Sequence, residues 1–162
     1  EKLQLDESAL RSKYYELSKQ LHPDRFSNAP HPAPQYALRW TTALNRAYQC
    51  LKNKSERTLY LIEKCLPKST TAAKKAIPTD LAEAYFEIQD LLSEGHVEPL
   101  LNFRKQLEAL LEKNADSWEV LANEYDMGNN KIATLEKLHQ QAEKEKYIHS
   151  MLADIERKVS SN

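Results

Sequence analysis

Three residues near the start of the chain combine reactive side chains with a stiff backbone: His22, Pro23 and Asp24. An imidazole two residues from a carboxylate is the raw material of acid–base chemistry. The sequence fixes no nucleophile, oxyanion device or second carboxylate beside it, so an acid–base site is not supported. What remains is presentation. Proline fixes its own φ and pushes the preceding residue out of the α region. His22 is therefore expected to end a helix, and Asp24 to stand out on a stiff turn. Arg25 and Phe26 follow, then residues 27–34, Ser-Asn-Ala-Pro-His-Pro-Ala-Pro, read as an exposed loop.

Other candidates for chemistry are weaker. His31 falls in the Pro-rich loop and is expected to be solvated. His96, His139 and His149 are scattered, with no carboxylate or thiol at metal-ligand spacing. Cys50 and Cys65 are the only cysteines and form no CxxC, so they read as reduced, partly buried thiols. No catalytic residue, metal site or cofactor is expected. The Lys/Glu run at 143–146 reads as a solvated helix face.

The elements that would position the tripeptide can be read from periodicity. Asp6 is a plausible N-cap, and Leu10, Tyr14, Leu17 and Leu21 then fall on one helical face. A second helix is expected over 35–52, with Trp40, Leu44, Ala47, Tyr48 and Leu51 on its apolar side. The two helices must pack on each other as an antiparallel hairpin, with the tripeptide at its tip. A short helix over 55–64 follows, with Ser55 as its cap. Residues 67–78 read as a linker between a first domain, 1–66, and a second, 79–162.

In the second domain, Thr79 or Asp80 is expected to cap a helix reaching Glu94, with Gly95 just past its end. A helix over 98–113 carries Leu100, Phe103, Leu107, Leu110 and Leu111. Asp116 or Ser117 then caps a shorter one with Trp118, Leu121 and Tyr125. A turn at 127–130 leads into a last helix over 131–158. Its stripe is Ile132, Leu135, Leu138, Ala142, Ile148, Leu152 and Ile155. The expectation is a bundle of three main helices.

Composition agrees with an all-α fold. Among 162 residues there are only two glycines, and good helix formers dominate. No apolar run approaches the roughly 18 residues needed to span a bilayer, and no secretory signal is visible. Charge is uneven. Residues 1–66 carry 11 Lys+Arg against 7 Asp+Glu, a net +4; residues 67–162 carry 12 against 17, a net −5. Such asymmetry points to two partners of different character. Nucleic acid is not one of them, because no dense basic stripe with interleaved aromatics occurs. Arg11, Lys13, Lys19 and Arg25 flank the tripeptide. They either keep the hairpin soluble or form a positive face that steers it onto an acidic groove.

The run Leu21-His22-Pro23-Asp24-Arg25-Phe26 between two helical patterns resembles J-domain co-chaperones, in particular the HscB branch that serves iron–sulfur cluster assembly. Asn45-Arg46-Ala47-Tyr48 with Leu51 is similar to the helix motif that follows in that family. Arg57-Thr58-Leu59-Tyr60-Leu61 looks like its Arg-x-x-Tyr-Leu segment. The resemblance implies an L-shaped, all-α protein: an N-terminal J-domain hairpin and a C-terminal three-helix bundle. The family's first J-domain helix, a Tyr-Phe-x-Leu-like segment, is missing from this sequence. The chain also opens at Glu1 without Met, which leaves two expectations open: a first domain that is underpacked, or a sequence truncated at its start. The N-terminal four-cysteine metal site of some relatives is missing as well.

The implied function is that of a co-chaperone without enzymatic activity. It would stimulate ATP hydrolysis by a DnaK/HscA-class chaperone and deliver an IscU-type scaffold to it. By resemblance, His22, Pro23 and Asp24, with Arg11, Lys13, Lys19 and Arg25, face the chaperone. Alignment puts scaffold contacts at Ala82, Glu83 and Phe86 on the first bundle helix and at Tyr147 on the last. Tyr85 supplies further area beside Phe86, where relatives prefer Leu and Met at the positions of Ala82 and Glu83. The expected location is the bacterial cytoplasm, or the mitochondrial matrix in a eukaryote. Two rival readings are a general J-domain co-chaperone for another client and a helical adaptor with a degenerate J-domain.

Overall fold

The structure, a computed structural model, describes residues 1–67 and 77–161. Residues 68–76, most of the expected linker, lie outside the described residues. Six α-helices occur among the described residues: α1 (Glu7–Leu21), α2 (Ala33–Lys52), α3 (Lys54–Cys65), α4 (Thr79–Glu94), α5 (Val97–Asp126) and α6 (Lys131–Ser160). A 3-10 turn, Pro23–Phe26, links α1 to the loop before α2. The chain divides into two compact units, Glu1–Lys64 and Cys65–Asn162. No helix among the described residues is long and apolar enough to cross a membrane.

In the first unit, α1 starts where expected. The Asp6 carboxylate accepts hydrogen bonds from the N–H groups of Ser8 and Ala9, at 2.8 and 3.1 Å, and from the Ser8 hydroxyl at 2.6 Å. The Ser8 hydroxyl, then these backbone donors, hold the Asp6 carboxyl below its usual range. The cap therefore contributes fully above the unfolded carboxylate's pKa and is lost as pH falls through the depressed value. Leu10, Tyr14, Leu17 and Leu21 are all half-buried on one face. Tyr14 stacks on Tyr48 of α2, with ring centroids 4.2 Å apart, and its hydroxyl donates to Asn45 Oδ1 at 3.0 Å. Asn45 and Tyr48, read first as a family motif, thus lock the hairpin.

Three local expectations for this unit need correction. Helix α2 begins at Ala33, so Ala33 and Pro34 are helical rather than loop. Proline is tolerated in a first turn, where N–H groups have no intrahelical acceptor. Trp40 is 61% exposed and does not line the packed side, which is carried by Ala37, Leu44, Tyr48 and Leu51; Ala47 is exposed too. The cap of α3 is Asn53, not Ser55: its side-chain oxygen accepts from the N–H groups of Ser55 and Glu56 at 2.9 and 3.1 Å. Residues 1–5 are not helical, yet Leu3 is fully buried. Arg57, itself buried, donates from Nε to the Leu3 carbonyl at 2.7 Å and from its guanidinium to the Leu51 carbonyl. It ties the entry segment and the end of α2 to α3.

The second unit is the expected bundle. Leu81 and Ile88 of α4 meet Leu100 and Leu107 of α5 and Ile148, Met151 and Ile155 of α6 in one buried cluster. Gly95 closes α4 in the left-handed region, at φ 82°, where a Cβ would be strained. The expected break between 113 and 117 does not occur, and α5 runs unbroken for 30 residues. Its stripe continues at helical spacing through Asn114, Trp118, Leu121 and Tyr125. Gln141 of α6 donates to the Asn114 carbonyl at the expected break. Packing across this seam outweighs the capping preference of Asp116 and Ser117. Past the turn at 127–130, Lys131 Nζ sits 4.9 Å from the Tyr125 ring centroid. Ile132, assigned to the inner stripe, is 50% exposed. Lys144 pairs with Asp80 of α4, so the 143–146 run is not merely a solvated face.

Candidate interaction surfaces

The tip of the hairpin is held from several directions. His22 ends α1 with ψ 128°, outside the α region, as a residue before proline must. The carbonyl of Leu21, left without an intrahelical donor, accepts from Thr41 Oγ1 of α2 at 2.9 Å. His22 Nδ1 accepts the Asp24 N–H at 3.3 Å, and the His22 carbonyl accepts the Arg25 N–H at 3.0 Å. The Asp24 carbonyl accepts from Ser27 Oγ at 2.9 Å. Arg25 reaches back to the Lys19 carbonyl at 3.3 Å. The backbone of Asp24 is thus fixed on both sides while its carboxylate is 89% exposed.

His22 Nδ1 also lies 3.5 Å from Asp24 Oδ2. One nitrogen cannot accept an amide proton and donate to a carboxylate at once. The amide contact is the shorter and has a defined donor, so the imidazole acts as the cap of the turn. The Asp24 carboxylate is left for an outside partner.

The four basic residues do not all share one face. Arg11 and Lys13 are two residues apart, about 200° around the helix, so they point to different sides. Lys13 is engaged by Glu16 at 2.8 Å, and this contact holds the Glu16 carboxyl below its usual range. Arg11 lies 5.7 Å from the centroid of the Tyr15 ring. Lys19 is exposed on the side of α1 opposite its packed face, and Arg25 follows on the turn. Lys19, Arg25 and the Asp24 carboxylate are the charges available at the tip.

On the bundle, the aromatic residues come together but not as a wholly exposed patch. Tyr85 and Phe86 make an edge-to-face pair with centroids 5.7 Å apart. Tyr85 and Tyr147 are half-buried and pack against the same core cluster, which brings α6 beside α4. Only Phe86, at 61%, is largely exposed. Ala82 is half-buried beside it, and Glu83 is exposed. Of the three aromatics named for the scaffold, Tyr85 and Tyr147 serve the core with one side and the surface with the other. Two further exposed arginines, Arg39 and Arg46 of α2, have no side-chain partner among the described residues; they are distant in sequence from the tripeptide, and their residue type alone does not mark them.

No family model matches the sequence. Among solved structures, the chaperone HscB from Vibrio cholerae resembles this chain with a TM-score of 0.61 at 21% identity. The match covers 99% of this chain and 92% of that one. The protein has an HscB-like, all-α fold.

Proposed function

We propose that this protein is a co-chaperone with two working surfaces. The tip of the first unit docks a DnaK/HscA-class chaperone and stimulates its ATP hydrolysis. The aromatic face of the second unit holds an IscU-type iron–sulfur scaffold for delivery. One observation carries the reading: an exposed carboxylate, Asp24, on a turn fixed by His22, Ser27, Arg25 and Thr41. Such a group makes a charge-assisted hydrogen bond to an arginine of the chaperone with little further ordering cost. The chaperone performs the phosphoryl chemistry, and this protein biases its conformational equilibrium by differential binding. Single-turnover ATP hydrolysis by a DnaK/HscA-class chaperone, with and without this protein, is the test. An unchanged rate overturns the proposal.

The charges at the tip set the encounter rate. Lys19→Glu with Arg25→Glu should slow association on the order of tenfold at low salt and flatten its salt dependence. Lys13→Glu should do less, because Glu16 already engages Lys13. Stopped-flow association rates indifferent to both salt and charge reversal would reduce these residues to solubilising groups.

Phe86→Ala should weaken scaffold binding on the order of tenfold, about 1.4 kcal/mol, with no change in melting temperature. Tyr147→Ala is the poorer probe, since removing a side chain packed on the core lowers stability too. Calorimetric titration against an IscU-type scaffold decides the point. Among the described residues of the second unit Phe86 is the one largely exposed aromatic, which favours a second reading, a J-domain co-chaperone whose bundle takes another client. No heat with the scaffold, alongside intact ATPase stimulation, would select it.

A further inference from the structure

We propose that the outer face of α2 is a docking surface for an acidic amphipathic helix of a partner protein. Tyr36, Trp40, Ala43 and Ala47 recur at spacings of four, three and four, so they share one helix face, and all four are exposed. Tyr36 is 54% and Trp40 61% exposed, although α2 packs its other side on α1 through Ala37, Leu44 and Tyr48. Two large aromatics on one free face, with two alanines beyond them, make an apolar strip with a shallow floor. A helix can approach such a strip to the usual interaxial distance of about 8–10 Å.

Charge selects the occupant. The 20 residues of α2 include Arg39, Arg46 and Lys52 and not one Asp or Glu. Arg39 and Arg46 are seven residues apart, two turns along the same edge of the strip, and both are exposed. Neither guanidinium has an ion-pair or hydrogen-bond partner among the described residues. Arg46 also lines a groove of about 550 Å³ between α2 and α3, where Glu56 is the only carboxylate and is not paired with it. A surface that joins exposed aromatics to unpaired guanidinium groups fits a helix with apolar residues along one face and carboxylates beside them. This surface lies on α2, not on α1 or the turn that carry Lys19 and Asp24, and its occupancy requires neither ATPase docking nor scaffold binding.

Trp40 reports on its own burial. With Trp118→Phe it is the only tryptophan in the chain. The probe is a synthetic amphipathic peptide of about five helical turns, with Leu on one face and Glu on the others. The expected result is a saturable blue shift of Trp40 emission. Arg39→Glu with Arg46→Glu should weaken it by at least about tenfold, and a Lys-for-Glu peptide should give none. Calorimetric titration of the unmodified protein and of Trp40→Ala provides the same comparison should Trp118→Phe fail to fold. Absence of saturable binding, equal binding by the arginine-reversed variant, or equal binding of the Lys peptide overturns the proposal. So does a reversible dimer, seen by sedimentation and lost in Trp40→Ala, which would assign the strip to a second copy of this chain.

Discussion

Asp24→Asn is expected to abolish stimulation of a DnaK/HscA-class ATPase and to leave the fold unchanged. The two halves of this expectation rest on different atoms. The backbone of residue 24 holds the turn: its N–H goes to His22 and its carbonyl accepts from Ser27. Asparagine keeps both. The carboxylate that is lost is 89% exposed, so stability should stay within about 0.5 kcal/mol. At a docked interface the same carboxylate would be desolvated against a guanidinium. Hydrogen bonds to charged groups are worth about 1.5–3 kcal/mol, on the order of ten- to hundredfold in affinity. His22→Ala should act differently. It removes the cap rather than the recognised charge, so stimulation should fall partially through a looser turn. Single-turnover hydrolysis and thermal melts of both variants measure this. Asp24→Asn stimulating like the wild type would sink the co-chaperone reading.

Arg57→Ala should destabilise the first unit by about 2–4 kcal/mol. Its guanidinium donates to two backbone carbonyls, of Leu3 and Leu51, from a site that is 5% exposed. Alanine would leave both acceptors without this donor and would remove the stem that packs between α3 and the entry segment. Leu3, fully buried, would lose its anchor. Arg57→Lys should recover only part of the loss, because one ammonium cannot reproduce the fork that spans two carbonyls. Urea unfolding followed on the first unit, with amide exchange at residues 1–5 and along α3, gives the measurement. An unchanged midpoint and unchanged exchange would show that Arg57 does not hold Leu3 in place.

The parts of the fold legible in the sequence were those set by local physics. Proline after His22, glycine after Glu94 and the Asp6 cap act within a few residues, and each boundary stands where the residue types put it. The packed face of α1 was legible because four apolar residues repeat without interruption. Trp40 and Ile132 were misassigned for the converse reason: periodicity finds an apolar stripe but cannot say which of its edges another helix covers. The unbroken α5 exposes a second limit. Asp116 and Ser117 are good caps in isolation, but Trp118 and Leu121 keep the stripe in phase, and Gln141 reaches Asn114 from a helix 27 residues away. Arg57 shows a third. A basic residue inside a motif reads as surface charge until its acceptors, 54 and 6 residues off, are known. The positions of His22, Pro23 and Asp24 were legible; the engagement of Lys13 by Glu16 was not.

Thr41 holding the Leu21 carbonyl has a consequence for how this chain can vary. Together with the His22 cap and the Arg25 contact to Lys19, it fixes the tip directly against α2, so the stretch between them does not set the geometry. That stretch is then a tether rather than a spring. Its length and its proline content can drift without turning Asp24, because each doubling of a flexible loop costs only about 0.6 kcal/mol of closure entropy. Insertions, epitope tags and species-to-species length changes belong in this tether.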